Sequence, residues 1–350
     1  MTNQNPYQNL PGEAYWRTGV ASCNPLDFEK LYTRKFEILE TDKIATAGSC
    51  FAQHIGRHMA KSGFNYRDYE KAPPLLPQHL HAKYGYGIYS ARYGNIYTAH
   101  QLSQLFDRAY GKFTPEETVW TDGERYIDPF RPTIEPNGFS CLEEFKILQD
   151  AHFSAVRKMF ETADVFVFTL GLTEAWRHTS DKAVYPVCPG TAAGTFDADV
   201  YEFHNFTFVE IYQELKQTLA KMREINPGLK VILTVSPVPL TATASDKHVL
   251  VASMHSKSTL RTVAGELAQE DPLTDYFPSY EIVASHPMRA MFFDPNLRTV
   301  SLRGVDQVMR HFFKEHTPPG VLEKSPAGNE SLDEDDIVCD EELLEMEQTL

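Results

Sequence analysis

The stretch from Lys43 to Ala52 constrains this chain more than any other. Ile44-Ala45-Thr46-Ala47 is a short apolar run that breaks at Gly48-Ser49-Cys50, and residues 51–59 then carry apolar side chains at helical spacing. The pattern predicts a buried strand turning sharply into an amphipathic helix. Such a turn lies at the carboxyl edge of a sheet, where a helix N-terminus stabilises negative charge. Ser49 is therefore a candidate nucleophile, with plain helix capping as the alternative role. Cys50 beside it is a rival, because a thiol at a helix N-terminus ionises more readily than a free one.

The rest of the chain repeats the alternation of strand and helix. Residues 141–162 carry an apolar stripe of Phe145, Leu148, Phe153, Val156 and Phe160, and 164–170 form an almost wholly apolar strand. A helix over 209–225 stops at Asn226-Pro227-Gly228, a buried strand follows over 230–235, and helices are expected over 253–269 and 305–313. This order predicts an α/β fold with a mostly parallel sheet between helical layers. Residues 1–40, rich in Tyr, Pro and Asn, read as an N-terminal arm. Residues 41–317 read as one domain, with an insertion over about 65–140 that includes a helix over 98–109.

Composition matters chiefly for what it excludes. Of the net charge of −15, residues 321–350 contribute −10, so the acidity belongs to the end of the chain and not to the domain. Residues 318–350 read as a solvated acidic tail, either a solubilising end or a docking segment for a protein partner. No basic stripe with interleaved aromatics marks a nucleic-acid surface. No apolar run reaches the roughly 18 residues of a membrane span. The five cysteines are scattered and the first residues carry no apolar leader, so a reduced, cytoplasmic setting is the expectation. His54 and His58 share a helix face but lack an accompanying glutamate, and His79 and His81 lie in a Pro-rich loop; neither pair implies a metal. No cofactor is implied.

The order Gly48-Ser49-Cys50-Phe51-Ala52, with Tyr93-Gly94-Asn95-Ile96-Tyr97, Thr169–Trp176 and Tyr276–Glu281, resembles the GSCFA family. That family is in turn similar to the SGNH, or GDSL-like, hydrolases. The resemblance implies a three-layer α/β/α sandwich and a serine esterase or O-acyl (acetyl) transferase. Its substrate would be an ester of a carbohydrate or a similar polar molecule. Ser49 falls where those hydrolases keep their nucleophile.

The same resemblance sets expectations for the helpers of Ser49. Gly94 and Asn95 loosely match the second glycine block, and Gly171 with Thr173 and Glu174 stands where a Gly-x-Asn-Asp block binds the oxyanion. A threonine hydroxyl can donate there, whereas an ionised glutamate cannot; the Ser49 or Cys50 amide would complete the hole. Glu174 has a second reading, as an acidic residue opening a helix. An Asp-x-x-His pair is expected late in the chain, but no histidine follows Asp294 at that spacing. The nearest His-Pro is His286-Pro287, which makes His286 the expected base and Asp294 its orienting acid, with His255 as a second candidate base. This departure leaves room for a catalytically silent binding or scaffold protein. Glu281 has no ranked role, as partner-orienting acid or as packing.

Overall fold

The computed structural model describes residues 5–319 and Leu344. In chain order the main elements are β1 (Ile44–Gly48), α1 (Phe51–Lys61), α2 (Ala99–Ala109), β2 (Trp120–Asp122), β3 (Arg125–Ile127) and α3 (Leu142–Thr162). They continue with β4 (Val165–Leu170), β5 (Glu174–His178), β6 (Val184–Tyr185), β7 (Tyr201–Asn205), α4 (Phe208–Ile225) and β8 (Lys230–Val235). The last are α5 (Val249–Glu270), β9 (Thr274–Phe277), α6 (Ser279–Ala284) and α7 (Leu302–Glu315). The acidic tail expected over 318–350 lies outside the described residues, apart from its first two positions and Leu344.

The central sheet has the order β1-β4-β8-β9, every pair parallel. Beyond β1 a single parallel bridge joins Ile44 to Tyr66, where a further edge strand would otherwise lie. Because side chains alternate across a strand, β4 sends Val165 and Val167 to one face and Phe166, Phe168 and Leu170 to the other. The first face packs with Phe51 and Ile55 of α1, Ile282 of α6 and Val305, Val308 and Phe312 of α7. The second packs with Leu102 and Phe106 of α2, Met159 and Phe160 of α3, Leu215 and Leu219 of α4 and Leu260 and Val263 of α5. The result is a three-layer α/β/α sandwich, the architecture that the alternation of elements predicted. Strands covered on both faces read as unbroken apolar runs, which is why 44–47, 164–170 and 230–235 were legible.

Segments outside that sandwich build its carboxyl edge. The turn over 93–97 crosses the edge, with the Ile96 amide donating to Gly48 O and the Gly171 and Leu172 amides donating to Tyr97 O. The α2 helix that follows starts at a capping box of Thr98 and Gln101. β5, β6 and β7 form a separate antiparallel sheet in the order β6-β5-β7, directly after the β4 end. Residues 25–38 of the arm pack onto the body through Phe28, Tyr32 and Ile38.

Candidate active site at the carboxyl edge of the sheet

Ser49 lies at the β1–α1 turn, 2 % exposed, with its amide donating to Thr169 O at 3.1 Å. Its Oγ is buried and has no hydrogen-bond partner. The helix cap is Cys50, whose side chain accepts no capping bond, so Ser49 is not engaged as a capping side chain. Cys50 is buried as well, at the head of a helix that turns Phe51 into the core.

Gly171 is the wall facing Ser49. A Cβ placed on it would stand 3.1 Å from Ser49 Cβ and 3.1 Å from Tyr97 Cδ1, a tight fit that would push on the serine. The Gly171 carbonyl accepts from Lys257 Nζ at 2.7 Å, and Lys257 is 3 % exposed. This lysine was missed at the level of sequence. It comes from α5, whose inward positions Ser253, Ser256, Lys257 and Leu260 recur at helical spacing. Ser256 Oγ accepts from the Thr173 amide at 3.0 Å, and Ser253 Oγ accepts from the Leu240 amide at 3.1 Å. The N-terminal half of α5 thus closes the carboxyl ends of β4 and β8. His255 of the same helix is exposed on the outer side.

The Ser49, Gly171 and Thr173 amides are all spent on the internal bonds described above. Thr173 is fully buried and its Oγ1 has no partner. Asn95 is buried, and its Oδ1 accepts from Tyr89 OH at 2.5 Å, while Gln53 Nε2 donates to Tyr89 OH at 3.1 Å. That relay fixes the amide plane and directs Asn95 Nδ2 away from Tyr89. Gly94 and Asn95 also line a cavity of about 290 Å³ with Lys83, Tyr89 and Thr133.

Other expected residues stand elsewhere. Glu174 begins β5 instead of a helix; Thr243 Oγ1 donates to it at 2.9 Å, and burial raises its pKa above the ordinary carboxylate value. It faces a cavity of about 280 Å³ that Trp176, Tyr185 and Leu240 also line. His286 is exposed in a short turn after α6 and stacks on Trp16 of the arm, with ring centroids 5.3 Å apart. Ser49 Oγ has no hydrogen-bond partner, so neither His286 nor Asp294 bonds it. Asp294 sits in the loop before α7, its amide donating to Thr299 O at 2.9 Å, and the buried Arg298 follows in the same loop. Glu281 accepts from Tyr276 OH at 2.7 Å and pairs with Arg261, a packing role. His58 Nδ1 bonds the His54 carbonyl, and no group of metal-binding side chains occurs among the described residues.

Two comparisons bear on this site. No curated protein matches the chain. A family model described as the GSCFA family matches residues 43–312, from the start of β1 into α7. The match takes in Ser49, Asn95, Gly171, Thr173 and Lys257 together, and on it the chain belongs to the GSCFA family.

Proposed function

We propose that this chain is a serine esterase or O-acyltransferase, with Ser49 as nucleophile and an ester of a small polar or carbohydrate-like molecule as acyl donor. One observation carries the reading: an unpartnered, buried Ser49 hydroxyl packs against Gly171, whose carbonyl accepts from the buried Lys257 Nζ. A buried lysine is a known alternative to histidine as partner of a nucleophilic serine. As the free amine, Lys257 takes the Ser49 proton while Oγ bonds the ester carbonyl carbon. The resulting ammonium then protonates the alcohol that leaves, and water or an acceptor alcohol cleaves the acyl-serine. Thr173 Oγ1 and Asn95 Nδ2 are the side-chain donors for the oxyanion. The SGNH-like placement of Ser49 supports the same chemistry by analogy of fold. With Cys23, Cys50, Cys141 and Cys188 outside any disulfide, a reducing cytoplasmic setting suits the protein.

The second reading, a silent binding protein that keeps the pocket, is favoured by the burial of Ser49 and by Leu297 at the place where a histidine would follow Asp294. Fluorophosphonate labelling and p-nitrophenyl acetate turnover separate the two. Ser49→Ala should abolish labelling. Lys257→Met should lower kcat by about 10²–10⁴, the usual worth of a positioned proton acceptor. His286→Ala and Cys50→Ala should leave both intact. Equal background in every variant, with Ser49 unlabelled, would establish the silent reading; loss confined to His286→Ala among the base candidates would return the base to that residue.

A further inference from the structure

A further cavity lies beside the 93–97 turn, and Ser49 is not among its lining residues. It measures about 30 Å³, and Asn95, Gln101, Arg108, Phe130, Arg131 and His152 are among the side chains that line it. By volume it holds one or two waters or a single small ion. His152 is 1 % exposed; its Nδ1 bonds Glu70 Oε2 at 2.6 Å, and its Nε2, on the opposite edge of the ring, has no partner. Glu70 is not part of the cavity wall, whereas His152, whose buried Nε2 bonds nothing, is.

The cations around it are unevenly matched. Arg131 lines the cavity and spends Nε on Asp128 at 2.9 Å and Nη1 on the Arg92 carbonyl. Arg92 in turn pairs with Glu135 at 2.6 Å. Arg108 makes no hydrogen bond to a carboxylate among the described residues, and Asp128, already bonded to Arg131, is the acid that acts on its charge. Its guanidinium lies between aromatic faces, with Cζ 3.7 Å from the centre of Phe130 and 5.1 Å from that of Phe153. Gln101 gives its carbonyl oxygen to the Tyr97 and Thr98 amides, which turns its NH₂ group the other way. Donors therefore converge on the cavity, and the nearby carboxylates of Glu70, Asp128 and Glu135 are each already engaged.

We propose that this cavity binds one small monovalent anion of the halide class, held by Arg108 and Arg131, and that a proton enters on His152 Nε2 with it. Without the proton, Nε2 presents a lone pair that would repel the anion; with it, Nε2–H becomes a further donor and the pair enters with no net change in charge. Burial and Arg131 lower the His152 pKa, while Glu70 and Asp128 raise it, so the neutral ring prevails near neutral pH and uptake strengthens in acid. Tyr93, whose ring meets His152 edge-on, adds no charge there. The anion would brace the segment that carries Asn95.

Crystals of the wild-type protein soaked in sodium bromide at pH 5.5 should show an anomalous peak between Arg108 and His152. Bromide bound only on the outer surface, or a water without anomalous signal in the cavity, overturns the proposal. In solution, replacing gluconate by chloride at constant ionic strength should raise Tm by about 2–4 °C, the size expected for a ligand present at roughly ten times its Kd. The rise should be larger at pH 5.5 than at pH 8 and should vanish in Arg108→Met. An equal rise in that variant overturns the assignment. Neither outcome depends on Ser49 chemistry.

Discussion

Gly48 is the residue on which the nucleophile turn depends. Its φ is +140°, and a Cβ there would stand 2.4 Å from Thr169 O, the same oxygen that accepts from the Ser49 amide. A side chain at this point is strained by conformation and by collision with backbone, which cannot move aside. Gly48→Ala should therefore cost about 3 kcal/mol or more in urea denaturation, at the upper end for one substitution. Ser49 labelling should fall with it, because the turn that aims the hydroxyl opens. A variant that is both stable and fully labelled would show that the turn tolerates a side chain. Lys257 makes the complementary point. Its residue type carried no motif, yet it is in phase with the buried Ser253, Leu260 and Ala264, and that phase was the available signal. His255, the more obvious chemical group, is out of phase and faces solvent.

Among the elements, α2 and α4 begin in the same way and differ in what the cap supports. At α4, Thr207 and Glu210 form a capping box on an outer loop. Thr207→Ala should cost about 1 kcal/mol, the ordinary worth of a cap, with no effect on Ser49 labelling. At α2, Gln101 Oε1 accepts from the Tyr97 and Thr98 amides, both at 3.0 Å in buried surroundings. Gln101→Ala leaves two buried N–H groups without an acceptor and should cost about 2 kcal/mol or more. It should also slow labelling, since the Tyr97 carbonyl anchors the Gly171 and Leu172 amides beside Ser49. Equal labelling rates in the two variants would show that the turn over 93–97 does not position the site. Both caps follow local sequence, Thr-x-x-Gln and Thr-x-x-Glu, and the helices they open were predicted to within a residue. Glu174 was read less well. An acidic residue after a strand suits a helix start, but pairing of β5 with β7, some thirty residues away, makes it a strand residue instead.

For the whole molecule, buried histidines set the response to acid. Burial above all holds His54, His100, His311 and His316 down to about 4, below the ordinary value of 6.5. Each is neutral in the folded chain and binds a proton more readily when unfolded. Their contribution is thus full above pH 6.5 and is lost as pH falls toward 4, with a slope approaching about 1.4 kcal/mol per pH unit for each group. Urea midpoints should fall steadily across that window; a flat profile would show that these rings are reached by water. The layers themselves answer to short-range rules. Apolar runs of four to seven residues, helical spacing and stop signals reveal strands, helices and the nucleophile turn, because burial on both sheet faces leaves its mark on consecutive residues. The neighbours of Ser49 obey no such rule. Gly171 and Thr173 from the turn after β4, Asn95 from the turn over 93–97 and Lys257 from α5 come from three segments that converge at the strand ends. Local patterning specifies which residues face inward, but which inward-facing residues touch depends on packing between segments far apart in the chain. That is why the hydroxyl was visible in the sequence and its lysine was not.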